Sequence, residues 1–134
     1  MMSVAKLVIT HNGIGQALID TASAILANND LPVVSLSVPA NLQPQDLGYY
    51  ADQIRDQIVA LNSTDGVLIL TDICGATPNN LARYFAADKN VAVISGLNLP
   101  MLVRVLNYNS EPLEALIEIA LEGGRSGIQE DLEK

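Results

Sequence analysis

The fold is decided by residues 66–78, which read GVLILTDICGATP. The segment Gly66–Thr71 is a continuous apolar run bounded by turn signals, and such a run is typical of a central parallel strand that is buried on both faces. Thr77-Pro78 then predicts a helix that extends to about Ala86, with Thr77 as the N-cap and Pro78 at the first helical position. A buried strand that leads directly into a helix predicts an α/β fold.

The same alternation of strands and helices extends in both directions along the chain. Short β-branched runs predict strands, and three- and four-residue spacing of apolar residues predicts helices. The strands are expected at Lys6–Thr10, Pro32–Val38 and Val91–Ser95, and the helices at Gly15–Asn28, Pro44–Leu61, Pro100–Tyr108 and Pro112–Glu122. We expect Gly123-Gly124 to end the last helix.

Alternating elements of this kind predict βαβ units with right-handed crossovers and a parallel sheet. Residues 1–134 are therefore predicted to form a single α/β domain, because no linker or repeat divides them. We expect a doubly wound, mainly parallel four-stranded sheet in the order 2-1-3-4, with helices on both faces.

The composition excludes several classes of protein. Apolar residues make up 49% of the 134 residues, which is too many for a disordered chain, and the net charge of −8 leaves no basic surface for nucleic acid. Cys74 is the single cysteine, so no internal disulfide is possible. We see no signal peptide and no apolar segment long enough to span a membrane, and we therefore expect a cytoplasmic protein.

Polar and glycine-rich residues follow three of the predicted strands, at the edge where parallel sheets bind ligands. They are His11–Gly15, Asp72–Pro78 and Gly96–Asn98. In the order 2-1-3-4, strands one and three are neighbours, so His11 and Asp72 should face each other. A carboxylate that accepts the proton of one imidazole nitrogen leaves the other nitrogen free to attack phosphorus. The sequence therefore predicts a phosphoryl group carried on His11, with Asp72 as its partner.

The segment Gly75–Thr77 is the predicted phosphate-binding element. Unpaired backbone N–H groups at a helix start bind anions, the Thr77 hydroxyl adds a donor, and Gly75 lets the backbone approach the phosphoryl group closely. Ala76 lies between them. Such a site stabilises phosphoryl transfer by positioning and electrostatics, and the scheme requires no metal and no cofactor.

Other chemistries fit the sequence less well. The sixth residue after Cys74 is Asn80, not the arginine of a phosphatase loop, so Cys74 is interpreted as a small buried residue. Walker-type and dinucleotide-binding patterns are absent from the sequence. Two alternatives stay open. One is a non-catalytic small-ligand binding module of flavodoxin-like fold. The other is a receiver-type domain phosphorylated on aspartate, although this sequence has His11 after strand one and not the acidic pair that such a domain needs.

The sequence resembles the mannose-type enzyme IIA domains of the bacterial phosphoenolpyruvate-dependent sugar phosphotransferase system. The resemblance covers nearly the whole chain, in order and at similar spacing, and the combination of segments is what makes it specific. The segments that carry it are Ile9–His11, Asp65–Asp72, Gly75–Asn80, Ser95–Leu102 and Gly124–Gly127. The phosphotransfer subunit of dihydroxyacetone kinase has a similar fold, but Gly75–Pro78 and Asn98–Met101 look mannose-type.

The resemblance implies a phosphotransferase whose histidine, matching His11, accepts phosphate from the carrier protein HPr and passes it to a IIB domain. This transfer would serve sugar uptake or regulation, and the sequence leaves both roles open. Asp72 matches the family's aspartate, and Thr77 matches a hydroxyl residue near the phosphate. The IIB partner would lie on a separate chain, and a membrane would be reached only through a transporter complex.

Such domains are usually homodimers that exchange an antiparallel C-terminal edge strand, which implies a role for the tail around Ile128. The sequence departs from the family at Asn12, Cys74 and Ala76, where family members often have glycine, a bulky residue and glycine. These departures lie around the histidine and are expected to affect the choice of partner more than phosphorylation.

Overall fold

The computed structural model describes residues 3–61, 63–88 and 90–132. Four parallel strands form one sheet in the order β2-β1-β3-β4, which confirms the predicted order. The strands are β1 (Ala5–His11), β2 (Val33–Val38), β3 (Val67–Thr71) and β4 (Val91–Ile94). The helices are α1 (Ile14–Leu26), α2 (Leu47–Leu61), α3 (Thr77–Arg83), α4 (Leu99–Asn107) and α5 (Leu113–Ser126), and single 3₁₀ segments span Pro44–Asp46 and Tyr84–Ala87.

The two central strands are buried on both faces. Every residue of β3 is buried, as is every residue of β1 before His11. Alternate residues point to opposite sides. Val8, Leu68 and Leu70 pack in a cluster with α1, α4 and α5, whereas Ile9 and Ile69 pack in a second cluster with α2 and α3. The apolar run of β3 thus carries two cores, and the doubly wound prediction is confirmed.

The predicted end of the last helix at Gly123-Gly124 is wrong, because α5 continues to Ser126. A Cβ atom on Gly123 would lie 2.9 Å from Cβ of Arg104, and one on Gly124 would lie 2.8 Å from Cε of Met101. Both contacts are with α4. The glycines therefore allow two helices to pack closely rather than ending one of them.

The start of α3 also differs from the prediction. Ala76 is the N-cap, with φ −80° and ψ 167°, so Thr77 and Pro78 are the first two helical residues. No side chain caps this end. Proline is tolerated there because the amides of the first turn have no intrahelical acceptor in any case. The interpretation of Thr77 as the N-cap is therefore wrong, although the helix begins where the sequence indicated.

Residues 127–132 leave α5 without forming a strand in the single chain, and Ile128 and Leu132 are 79% and 75% exposed. An exchanged C-terminal strand needs a second subunit and stays a prediction. Within the residues that the structure describes, no helix combines the length and the apolar character needed to cross a bilayer.

Candidate active site

Three loops meet at the carboxyl edge of the sheet, after β1, β3 and β4. Neighbouring strands β1 and β3 are in parallel register, with Ile9 opposite Thr71. The loop after β4 is joined to β3 because the Leu97 N–H donates to the Thr71 carbonyl at 2.9 Å. The predicted gathering of polar segments at one edge is therefore confirmed.

His11 and Asp72 are in direct contact across this edge. Oδ2 of Asp72 lies 2.9 Å from Nδ1 of His11 and also accepts the His11 backbone N–H at 3.0 Å. The other carboxylate oxygen accepts the Ile73 N–H at 3.1 Å. The His11 side chain remains 20% exposed while that of Asp72 is 9% exposed. Asp72 therefore holds both the backbone and the ring of the histidine, and the ring still reaches solvent.

The charge of Asp72 decides which imidazole nitrogen is free. Burial raises the pKa of the Asp72 carboxyl, but hydrogen bonds from the backbone and ring of His11, together with its charge, hold the pKa below the usual 3.8. An ionised carboxylate only accepts hydrogen bonds, so Nδ1 of His11 carries the proton. When the ring is neutral, Nε2 has its lone pair directed away from Asp72, as a nucleophile requires.

Thr10 fixes the loop on the other side of His11. It is fully buried, its Oγ1 accepts the Gly15 N–H at 2.8 Å, and its hydroxyl donates to the His11 carbonyl at 3.2 Å. A Cβ atom on Gly15 would lie 2.8 Å from Cγ1 of Val8. Glycine at this position therefore lets α1 start close against β1, which positions the segment that follows the histidine.

Asn79 is a site residue that sequence reasoning missed. It lies in α3, is only 3% exposed, and its Nδ2 donates to Oγ1 of Thr71 at 2.9 Å. Its Oδ1 accepts the Gly75 N–H at 3.1 Å, and the exposed Asn80 donates to the Gly75 carbonyl at 2.9 Å. Two asparagines thus hold both sides of a residue whose φ of +84° favours glycine. The only sequence signal was a pair of asparagines in the first turn of a helix.

The predicted phosphate-binding residues are adjacent in the loop, but they differ in whether their hydrogen-bond donors are free. The amides of Gly75 and Ala76 already donate, to Oδ1 of Asn79 and to the Ile73 carbonyl. In the part of the chain that the structure describes, the amide and hydroxyl of Thr77 have no such partner. Cys74 is exposed in this loop, so its interpretation as a buried residue is wrong.

The loops that carry the site expose apolar side chains. Ile14, three residues after His11, and Ile73, next to Asp72, are 48% and 58% exposed. Among residues 3–61, 63–88 and 90–132, no three His, Cys, Asp or Glu side chains are grouped so as to hold a metal ion. His11 therefore lies between loops, with its side chain partly buried and its ring still in reach of solvent.

Comparison with protein families identifies this arrangement. The family described as "EIIA-man: PTS system fructose IIA component" matches residues 6–121, a range that contains His11, Asp72 and the loop of Thr77. The chain belongs to this mannose-type IIA family of the sugar phosphotransferase system. The resemblance inferred from the sequence is therefore confirmed.

Individual relatives of this IIA chain agree with the family. It is 30% identical over 131 residues to the mannose-specific EIIAB component of Escherichia coli K12, a match that covers 96% of this chain and 39% of that protein. The mannose/sorbose-specific IIA subunit from Enterococcus faecalis superimposes with a TM-score of 0.83 at 21% identity, covering 99% of this chain and 98% of that one. A putative sugar phosphotransferase system permease from Klebsiella pneumoniae gives a TM-score of 0.78 at 24% identity, covering 96% and 91%. These two structures share the fold of this chain.

Proposed function

We propose that this IIA chain is a phosphotransferase component that carries a phosphoryl group on Nε2 of His11. The observation that carries the proposal is the contact of 2.9 Å between Nδ1 of His11 and Asp72. It holds the ring in the tautomer that leaves Nε2 free, on a side chain that remains partly exposed. A carrier of this kind needs access from solvent, because its donor and acceptor are proteins that must reach the same atom.

The transfer step is a direct exchange of bonds. Nε2 of His11 attacks phosphorus, a new N–P bond forms, and the bond from phosphorus to the donor breaks with its electron pair staying on the donor. The phosphorylated ring keeps its proton on Nδ1 and is positive, and the Asp72 carboxylate stabilises that charge. The reverse sequence of bond changes passes the group to the acceptor.

Thr77 is the proposed contact for the phosphoryl oxygens. Its amide and hydroxyl are free donors at the start of α3, whereas Gly75 and Ala76 shape the loop that presents them. Oriented donors that lie in place before reaction stabilise the charge on the transferred group without reorganisation. No metal and no cofactor takes part in the proposed reaction.

The proposed partners are an HPr-like donor and a IIB acceptor on a separate chain, both acting in the cytoplasm. The net charge of −8 favours partners with a basic contact surface. Ile14 and Ile73 on the loops of the site offer apolar contacts to such a surface. Contact with a membrane would be indirect, through the transporter that the IIB partner serves.

A homodimer with an exchanged tail completes the proposal. Strand β4 is at one end of the sheet, and a groove of about 530 Å³ runs beside it, lined by apolar residues of β4 and α5, by Arg125 and by the chain's own Ile128. The exposed Ile128 and Leu132 of a second copy offer apolar side chains for this groove, and the unpaired edge of β4 offers hydrogen bonds for an antiparallel strand.

The proposal is tested by intact-mass spectrometry after incubation with phosphoenolpyruvate, enzyme I and HPr. We expect the gain of one phosphoryl group, labile in acid and stable in alkali, in the native protein and not in His11→Ala. Light scattering on the full chain and on Ile128→Asp tests the dimer, with a loss of dimer expected in the variant.

Two results would overturn the carrier proposal. One is no mass gain while the same donor proteins phosphorylate another IIA domain, which would favour the small-ligand binding module. The other is a mass gain that persists in His11→Ala, which would place the phosphoryl group elsewhere.

A further inference from the structure

The residue that follows His11 is asparagine, and the one after that is glycine. Asn12-Gly13 is the single Asn-Gly pair in the sequence. In such a pair the glycine amide nitrogen reaches the side-chain carbonyl carbon of asparagine with little steric hindrance, because glycine has no side chain. The side-chain amide of Asn12 is therefore chemically the most labile asparagine amide in the chain.

The local structure leaves both reacting groups uncovered. Asn12 and Gly13 are exposed, and Asn12 has φ +47°, in the left-handed region that asparagine tolerates better than most residues. The Asn12 backbone N–H donates to the Val38 carbonyl at 3.0 Å. In the described chain, neither the Asn12 side-chain amide nor the Gly13 N–H has a hydrogen-bond partner. The Gly13 carbonyl accepts the Ala17 N–H at 3.1 Å, whereas a Cβ atom on Gly13 would meet nothing within 4 Å, so the space beside this residue is open.

Other asparagines of the chain are held differently. Both ends of the Asn79 and Asn98 side chains are hydrogen-bonded, and the side chains of Asn28 and Asn109 are each bonded to backbone groups. Asn41 is exposed in a loop as Asn12 is, but leucine follows it. Asn41 is thus a natural internal comparison for Asn12.

We propose that Asn12 is a site of spontaneous deamidation that modifies the active-site loop. The Gly13 backbone nitrogen loses its proton and attacks Cγ of Asn12, a C–N bond forms, and the side-chain nitrogen leaves as ammonia. The resulting five-membered succinimide is opened by water at one of its two carbonyl carbons. The products are aspartate, or isoaspartate in which the main chain runs through the side-chain carbon. Water is the only co-reactant, and nothing is oxidised or reduced.

Both products change the surroundings of His11. Each adds a negative charge to the residue next to the one that receives a phosphoryl group, in a protein that is already acidic. Isoaspartate also lengthens the main chain by one carbon, between the Val38 contact and the start of α1. This consequence rests on the proposed function, whereas the deamidation itself does not. We expect phosphorylation to slow about three- to tenfold when aspartate replaces Asn12, by repulsion alone.

The modification is tested by incubating the full-length protein in mildly alkaline buffer and mapping its peptides by mass spectrometry over time. We expect conversion of amide to acid at Asn12, methylation of the product by an isoaspartyl methyltransferase, and no comparable change at Asn41. Gly13→Ala, which the open space at this position accommodates, should slow the conversion at least tenfold. A synthetic peptide of residues 7–18 provides the rate without the fold. An Asn12 that stays intact in the protein while the peptide converts, or equal conversion at Asn12 and Asn41, would overturn the proposal.

The functional consequence is tested separately with Asn12→Asp, compared with Asn12→Ser, in the phosphorylation assay. We expect the slower rate in the aspartate variant and in aged protein, and a near-native rate in the serine variant. Equal rates for Asn12→Asp and the native protein would overturn the consequence while leaving the chemistry intact. If no variant and no native protein is phosphorylated, the carrier function fails, and the mass map still decides whether Asn12 is modified.

Discussion

At the carboxyl edge of the sheet, side chains hold the residues around His11 and Gly75, whereas at the opposite, amino edge backbone hydrogen bonds join the starts of β1 and β3 to neighbouring segments. Asp72, Asn79 and Thr10 bind backbone amides at the first edge. At the second edge, the Ala5 N–H donates to the Gly66 carbonyl at 3.0 Å, and the Val67 N–H donates to the Asn90 carbonyl at 2.8 Å.

The difference shows what a site requires from the edge of the sheet that carries it. Side chains that take over backbone hydrogen bonds allow loops of irregular path, and an irregular path can present a free ring nitrogen and free donors. Where backbone groups bond to each other, the connections are regular and leave fewer free donors and side chains for a reaction. Variants at the two edges should therefore separate activity from stability.

The largest effect is expected for Asp72→Asn at the carboxyl edge. The amide can donate to the ring, which favours the tautomer with Nδ1 unprotonated, and it removes the charge that stabilises the phosphorylated imidazole. We expect phosphorylation of His11 to slow about 10²- to 10⁴-fold, measured by intact mass in single-turnover reactions.

The matched control for that variant is Asp65→Asn at the amino edge. The Asp65 carboxylate also accepts a backbone N–H, that of Ser3 at 2.8 Å. The Asp65→Asn variant should be phosphorylated on His11 at the native rate. Similar losses in both variants would mean that the contact with His11 has no special role.

A smaller loss is expected for Asn79→Ala, because it releases Gly75 and leaves the Thr71 hydroxyl buried without its donor. We expect a slowing of about 10- to 100-fold through misplacement of the loop, with a loss of about 1–3 kcal/mol in the free energy of unfolding. Denaturant titration and the phosphorylation assay measure the two effects. Asn80→Ala removes one exposed contact with the same loop and should change both much less.

Gly66→Ala tests the amino edge alone. Gly66 has φ +107°, and a Cβ atom there would lie 2.9 Å from the Asn90 carbonyl oxygen. We expect the free energy of unfolding to fall by about 1–3 kcal/mol, with native phosphorylation of the folded fraction. A variant that unfolds at the native denaturant concentration would show that this edge is less constrained than its geometry indicates.

The smallest effect is expected for Lys6, the buried cation of the amino edge. Lys6 is 1% exposed, its Nζ donates to the Asn109 carbonyl at 2.8 Å, and burial lowers its pKa from the usual 10.5. The unfolded chain therefore binds the proton more tightly, so the native protein should gain stability as pH rises from the lowered pKa towards 10.5.

Unfolding in denaturant between pH 7 and 10.5, with Lys6→Met as the reference without this titration, measures that gain. The stability of the native protein relative to Lys6→Met should rise once the pH passes the lowered pKa of Lys6 and continue to rise towards 10.5. A difference that is constant with pH would contradict the assignment. Phosphorylation of the variant at neutral pH should be unchanged.

Much of this architecture could be predicted because it depends on local patterns. The apolar run of β3 and the β-branched run of β1 define two buried strands, and polar residues directly after them define the edge that carries the site. His11 and Asp72 could be paired from the strand order alone. These inferences need only the period of the pattern and the topology of parallel sheets.

The misses at Gly123-Gly124 and Asn79 depend on contacts between elements. A glycine pair can end a helix or can let a second helix pack closely against it, and nothing in the local sequence around Gly123-Gly124 distinguishes these two roles. Asn79 reads as an ordinary residue of a first turn until the loop folds back onto its amide. Cys74 was judged by its residue type, which favours burial, whereas its place in an irregular loop decided its exposure.

The histidine and its aspartate are 61 residues apart in the sequence and belong to strands that are not consecutive. Strand β2 and two helices intervene, so the pair forms only after β3 has inserted beside β1. Closing so long a loop is entropically unfavourable and tends to be a late event in folding. Competence for the proposed phosphorylation should thus report on folding. We expect a chain released from denaturant to regain it when its sheet is assembled across the centre, and an intermediate that contains only β1 and β2 not to be phosphorylated.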